Sequence, residues 1–149
     1  MYTLKRTNST DLDFQILVNQ LDQYLAIVNG DKNDFFVQYN KIDLIKYVLV
    51  AYEGNDAVGC GAMKEFAENT MEIKRMYVPL EKRGKGIAKS ILNELQKWAQ
   101  EMGYKKCILE TGDKMQDAIG LYQKSDFNRI PNYGPYSNNE TSICFEKEI

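Results

Sequence analysis

A chain of 149 residues, 44% hydrophobic and 27% charged, has enough material for one globular domain spanning 1–149 and no room for a second. Its net charge of -2 excludes the basic footprint of a nucleic-acid binder and favours a cationic or neutral small substrate. The absence of histidine removes Ser-His-Asp and Cys-His catalysis and histidine-based zinc sites, so any acid or base must be Glu, Asp, Tyr, Lys or Cys. Cys60, Cys107 and Cys144 are widely separated, each in an apolar run. They read as reduced core residues, and no metal is expected. The start, Met1 to Arg6, lacks the apolar run of a signal peptide, and no later run is long enough to span a membrane, so the expected compartment is the cytoplasm, with no membrane partner.

Tyr2 to Thr7 alternates as a short strand, and Asn8-Ser9-Thr10-Asp11 offers caps for a following helix. Phe14, Leu17, Val18, Leu21, Leu25 and Val28 recur at helical spacing up to Asn29-Gly30, where glycine stops the helix. Residues 31 to 43 lose the period but keep aromatics, predicting a loop with a short helix: either a flap plugging the core or a lid over the substrate. Lys46 to Glu53 and Ala57 to Phe66 form a hairpin about Gly54-Asn55, and after Glu68-Asn69 the strand Met71 to Val78 completes a three-stranded antiparallel meander.

A glycine turn follows, Arg83-Gly84-Lys85-Gly86-Ile87-Ala88. Two glycines two apart let the backbone curl so that successive N–H groups face one concavity, to which a helix N-terminus adds unpaired donors. The turn reads as a pyrophosphate cradle with Arg83 and Lys85 at its rim, the alternative being an ordinary glycine-eased strand-to-helix turn. It is not a Walker A loop, because Ile87 stands where Ser or Thr would hold magnesium, and Lys89 stands where a dinucleotide fingerprint needs its third small residue. Ile87, Ile91, Leu92, Leu95, Trp98, Ala99 and Met102 then make one helical stripe ended by Gly103. Cys107-Ile108-Leu109 is a buried strand, parallel to Met71 to Val78 by the crossover rule, so the cradle opens between two strand ends. Ala118, Leu121 and Tyr122 lie on another helix, Phe127 to Ile130 begins a strand, residues 132 to 136 are turn chemistry, and Thr141 to Phe145 is a final strand.

Arg83, Gly86 and Ala88 fill the pattern of the acetyl-CoA loop of the GNAT superfamily of N-acetyltransferases, and the order of elements resembles that fold over essentially the whole chain. The expected fold is therefore α/β (α+β): a mixed, mainly antiparallel central sheet flanked by helices, with a parallel strand pair splayed at the acetyl-CoA site. The resemblance is strongest from Glu72 to Phe127, and Ala118 to Tyr122 with Lys124 and Phe127 looks like the family's late helix. Asp126 stands where that helix normally ends in glycine. Met115 replaces a common asparagine, leaving Gln116 or Asp117 to supply a usual cofactor hydrogen bond. The residues around Leu109-Glu110-Thr111-Gly112 and residues 130 to 136 resemble a bacterial branch of small family members without an assigned substrate.

What the resemblance implies is an acetyl-CoA-dependent transfer to a primary amine of a small molecule or peptide, by direct attack in a ternary complex. Glu72 occupies the general-base position of the family's histone-acetyltransferase branch; the alternatives are an exposed strand glutamate paired with Lys74 or Arg75, or Glu110 as the base. Tyr122 resembles the tyrosine that faces the CoA sulfur as general acid, against a core tyrosine satisfied elsewhere. Cofactor contacts are expected at Met76, Tyr77, Val78, Arg83, Gly84, Lys85, Gly86, Ile87, Ala88, Gln116 and Lys124, with the Met76 N–H as oxyanion donor. The acceptor pocket is sought at Tyr24, Phe35, Tyr39, Asn40, Glu110, Tyr133 and Tyr136, with Asp31 or Asp34 as counter-charges. A homodimer is an expectation of the resemblance. The rival readings are a non-catalytic acyl-CoA sensor or interaction module, which needs neither Glu72 nor Tyr122, and a nucleotide phosphotransferase, disfavoured by the missing Lys-Ser/Thr pair.

Overall fold

The computed structural model describes residues 2–30 and 45–149. Strand β1 (Thr3–Thr7) leads to helix α1 (Leu12–Asn29), whose first turn is closed by Asp11 accepting from the Phe14 N–H. Strands β2 (Tyr47–Glu53), β3 (Asp56–Ala67) and β4 (Thr70–Tyr77) form the antiparallel meander. Helix α2 (Ile87–Glu101) follows the glycine turn, and strand β5 (Lys106–Gly112) returns parallel to β4. Helix α3 (Gln116–Lys124), strand β6 (Asn128–Ile130) and strand β7 (Ser142–Glu148) complete the chain. The sheet order is β1-β2-β3-β4-β5-β7-β6, and β4–β5 is its only parallel pair among the described residues.

Alternation along the central strands sorts the core into two layers. Val48, Val50, Cys60 and Ala62 face α1 through Phe14, Leu17 and Val18. Leu49, Ala51, Val58, Met63, Met71, Ile73 and Leu109 face α2 and α3 through Ile87, Ile91, Leu92, Leu95 and Tyr122. Two glycines on β3 allow α2 to lie close: a Cβ at Gly61 would come 2.7 Å from Ile91 Cγ2 and 2.6 Å from Met76 Sδ. The final strand runs three residues further than the expected end at Phe145 and is inserted between β5 and β6, where Cys144 and Phe145 bury both its faces. Cys60, Cys107 and Cys144 are buried and free. No helix among the described residues is long and apolar enough to cross a membrane.

Candidate active site

The site originates where two parallel strands stop pairing. The β4–β5 register runs from Thr70 opposite Lys106 to Ile73 opposite Leu109, whereas β4 continues to Tyr77 and β5 to Gly112. Beyond Ile73 the strands diverge, leaving main-chain groups of β4 without a neighbour on that side. A bulge falls at the same place: the register between β3 and β4 slips between Cys60/Tyr77 and Ala62/Lys74, and Arg75 adopts a left-handed φ of 59°. The Cys60 thiol donates to the bulge carbonyl of Arg75 at 3.4 Å. A non-glycine residue in this conformation costs roughly 1 kcal/mol, and the surrounding pairing holds it there.

On one side of the splay lies a cleft of about 710 Å³. Its floor is the end of β4 with Met76, Tyr77 and Val78, and its far wall is the glycine turn with Arg83, Gly84, Gly86, Ile87, Ala88 and Lys89. Gly84 and Gly86 have φ of 79° and 83°, left-handed values that side-chain-bearing residues rarely take. The first α2 bond runs from Ser90 N to Gly86 O at 3.0 Å, so the amides of Ile87, Ala88 and Lys89 have no acceptor within the helix. Lys82, Lys89 and Lys114 add cationic side chains to the lining. Amide donors, a helix N-terminus and lysines fit a pyrophosphate-bearing ligand such as coenzyme A. Arg83 braces the turn: its Nε donates to the Val78 carbonyl at 2.8 Å and its guanidinium lies 5.0 Å from the Tyr24 ring centroid.

On the other side lies a smaller cavity of about 110 Å³, lined by Leu21, Leu25, Lys74, Arg75, Glu110 and Thr111 among others. The two spaces share a wall that includes Met76 and Tyr122. Tyr122 is fixed by the end of its own helix. Phe127 N donates to Tyr122 O at 3.0 Å and Asp126 N to Gln123 O at 3.3 Å, a Schellman ending with Asp126 at φ 69°. The Tyr122 ring rests 5.9 Å from those of Phe127 and Phe145. Burial, then the charge of Glu110, pushes its phenol above the ordinary range, so it stays protonated and able to donate.

Glu110 accepts from the Ser142 hydroxyl at 2.6 Å. Burial is the largest influence on it and raises its carboxyl to about 7, against the opposing effects of Ser142 and Lys74. Glu72 is also buried, at 5% exposure, with Oε2 accepting from the Tyr133 hydroxyl at 2.8 Å and Oε1 lying 3.8 Å from Lys74 Nζ. It is therefore not the exposed strand glutamate of the alternative reading. It also stands outside the residues lining either space, because Tyr133 and Lys74 enclose it.

The sequence profile described as the acetyltransferase (GNAT) family matches residues 16–127. The chain belongs to the GNAT family of acetyltransferases. It is 30% identical over 136 residues to a protein named IAA acetyltransferase from Azospirillum brasilense, spanning 89% of this chain and 88% of that one. A structure from Klebsiella pneumoniae described as an acyl-CoA N-acyltransferase superposes with a TM-score of 0.83 at 26% identity, covering 99% of this chain and 97% of the other. A GNAT acetyltransferase from Elizabethkingia anophelis with acetyl-CoA bound gives a TM-score of 0.73 at 21% identity, covering 99% and 98%. The parallel pair splayed within a mainly antiparallel sheet is the architecture expected of a GNAT chain.

Among the residues expected at the cofactor, Met76, Tyr77, Val78, Arg83, Gly84, Gly86, Ile87, Ala88 and Gln116 line the larger cleft. Lys85 and Lys124 do not. Lys85 is exposed at the crest of the turn between two left-handed glycines, and Lys124 is exposed two residues beyond Tyr122, on the far side of a short helix. The lysines that line the cleft are Lys82, Lys89 and Lys114. Lys89, which spoils a dinucleotide fingerprint, lies in the first turn of α2, where a cation opposes the helix dipole unless an anion offsets it. Gln116 donates to the Asp113 carbonyl at 2.8 Å, and Asp117 lies 3.9 Å from Arg83, so both candidates for the asparagine's role sit at the helix start.

For the acceptor pocket, Glu110 lines the smaller cavity. Tyr24 lies instead on the cofactor cleft, held there by Arg83. Tyr136 lines neither space: it is 4% exposed and packs with Cys144, Ile130 and Tyr133. Tyr133 reaches the site only through its bond to Glu72. Phe35, Tyr39 and Asn40, with Asp31 and Asp34, lie outside the described residues.

Proposed function

We propose that this GNAT chain transfers an acetyl group from acetyl-CoA to a primary amine by direct attack, with Glu110 as the proton acceptor and Tyr122 as the proton donor. The observation that carries this reading is the shared wall: Met76 and Tyr122 border both spaces, and Glu110 stands on the smaller one. The amides of the Gly84 to Ala88 turn and the side chains of Lys82, Lys89 and Lys114 would hold the pyrophosphate end, and the β4 main chain from Met76 to Val78 the pantetheine arm. Acetyl-CoA, when bound, supplies the acyl group as a thioester.

An alkylammonium titrates near ~10, so a carboxylate close to neutrality is needed to take its proton before attack. Glu110, raised to about 7, is ionised enough at neutral pH to accept and basic enough to do so usefully. The Met76 N–H, on the splayed edge after the bulge, would donate to the carbonyl oxygen as charge builds there. Tyr122, protonated through the whole working range, would donate to the departing sulfur. Direct attack is supported by the cysteines, because burial pushes Cys60 and Cys107 up to about 12 and Cys144 to about 11, far from a reactive thiolate.

The test is thiol release from acetyl-CoA across a panel of amines, amino acids, polyamines, aminoglycosides and peptides, with titration calorimetry of CoA beside it. Tyr122→Phe should lower turnover on the accepted class by about 10²-fold while CoA affinity holds. Binding of CoA with no release from any acceptor would favour a sensor, and no CoA binding would sink the reading of the cleft.

A further inference from the structure

The charges lining the smaller cavity are unlike those of the chain as a whole. Two cationic side chains from adjacent β4 positions border it, and both are taken out of water: the side chain of Lys74 is 8% exposed and that of Arg75 is 2% exposed. The left-handed bulge at Arg75 brings two successive basic side chains to one end of the splay, where an unbroken strand would send them to opposite faces.

Neither cation is fully used. Arg75 Nη2 donates to Asp22 Oδ1 at 2.5 Å, but its Nε–H is buried without a hydrogen-bond partner among the described residues. The nearest anion to Lys74 Nζ is Glu72 Oε1 at 3.8 Å, beyond hydrogen-bonding distance. A buried charged donor without an acceptor is costly, and natural structures keep one mainly where a ligand or water completes it. Arg75 pairs with Asp22 and Lys74 with Glu72, so those four charges offset one another. Glu110, when ionised, is left as the proton acceptor beside two cations with donor capacity to spare.

We propose that the acceptor is a small amino carboxylate, a molecule carrying both the reacting amine and a carboxylate, with the carboxylate held by Arg75 Nε–H and Lys74 Nζ and the amine against Glu110. The proposal rests on the acetyltransferase reading of the same site and narrows it. In the step it implies, the amine nitrogen forms a bond to the acyl carbon and the carbon–sulfur bond breaks. One ammonium proton passes to Glu110 before attack, the sulfur leaves as the thiol with the Tyr122 proton, and the second proton that nitrogen sheds as the amide forms restores Tyr122. The products are an N-acetyl amino carboxylate and CoA, and the Glu110 proton is released to solvent. A zwitterion suits this arrangement because its carboxylate meets the two cations and its ammonium meets the ionised Glu110.

The experiment compares amino acids with their own decarboxylated amines in the thiol-release assay, with polyamines, aminoglycosides and internal-lysine peptides included. The expected result is at least a tenfold higher kcat/KM for an amino acid than for its amine. Arg75→Lys, which keeps the charge beside Asp22 but removes the Nε donor, should raise KM for the amino acid at least tenfold. The loss on the matched amine, which brings no carboxylate to the missing donor, should be several-fold smaller, and the effect on KM for acetyl-CoA smaller again. If Arg75→Lys does not fold, Lys74→Met gives the same readout, since it keeps the apolar stem and removes the donor. Turnover confined to amines without a carboxylate, or equal losses on both partners of a pair, overturns the proposal and leaves the acetyltransferase reading standing. Release with no acceptor of any class removes both.

Discussion

The larger cleft and the smaller cavity meet at Met76 and Tyr122, yet they are made of different material. The cleft has its floor and far wall from one segment, Met76 to Lys89, and the amides of its glycine turn, whose direction follows from two left-handed glycines and a helix start, stand beside the lysine side chains. The cavity has its ionisable groups, Lys74, Arg75 and Glu110, on side chains, and its lining is gathered from α1, the β4 bulge, β5 and α3. A site built from backbone accepts one invariant ligand part and tolerates wide change in side chains. A site built from side chains on four elements can be respecified one residue at a time. That division suits a family fold that keeps its acyl donor while changing its acceptor.

The sharpest way to break the comparison is Glu110→Gln, which leaves the cleft intact and removes the proton acceptor from the cavity. The turnover rate should fall by about 10²- to 10⁴-fold with acetyl-CoA affinity retained, and the rise of kcat/KM through about pH 7 should disappear. Glu72→Gln should cost less, because Glu72 reaches the cavity only through Lys74; a larger loss there would reverse the assignment. Glu110→Gln also has a stability signature. Glu110 is raised from an ordinary 4.5 to about 7, so the folded state holds its proton more tightly than the unfolded chain does. That contribution is complete below about 4.5 and is lost as pH rises through about 7. It amounts to something on the order of 3 kcal/mol. Urea unfolding of the parent at pH 5 and pH 8 should show the loss, and Glu110→Gln should flatten it.

Gly61→Ala attacks the wall that both spaces share. The added Cβ would sit 2.6 Å from Met76 Sδ, 2.7 Å from Ile91 Cγ2 and 3.0 Å from Leu95 Cδ1, so the side chains of Met76 and Ile91 must give way. Overpacking of this kind costs about 1–3 kcal/mol. A lower urea midpoint with weaker binding on both sides is expected; an effect on the acceptor alone would mean that Met76 yields without moving its main chain.

Gly86→Ala separates the two halves. No atom lies within 4 Å of the new Cβ, so the penalty is conformational, from φ 83°, and should be about 1–2 kcal/mol. If that strain is relieved by turning the loop amides away from the ligand, CoA affinity should fall about tenfold while KM for the amine stays constant. Calorimetry and steady-state kinetics on one preparation decide it.

The same division governs what could be read from residue order alone. Glycine spacing at Gly84 and Gly86, the apolar stripe of α2 and the parallel return of β5 are local or topological signals, and they placed the cleft and the fold. Arg75 in a left-handed bulge has no such signal, because arginine carries no preference for that conformation; without the bulge, the pairing of Lys74 with Arg75 at one cavity is invisible. The choice between Glu72 and Glu110 was likewise out of reach. Both lie on strands at the splay, and only the hydroxyl of Tyr133, 61 residues further along the chain, shows which one is enclosed.

The smallest effect concerns Asp126, which takes the left-handed position that ends α3 and so helps to seat Tyr122. At φ 69° the backbone has the geometry of the glycine that usually stands there, and both Schellman bonds form. Replacing Asp126 by glycine removes a strain of roughly 1–2 kcal/mol from the folded state. It also frees the unfolded chain, which returns about 0.4–1 kcal/mol of that gain. The net expectation is a variant more stable by about 0.5–1 kcal/mol, seen as a higher urea midpoint at unchanged m-value, with kcat unaltered because Tyr122 keeps its contacts with Phe127 and Phe145. A drop in kcat at equal or higher stability would show that the aspartate steers Tyr122 rather than merely ending its helix.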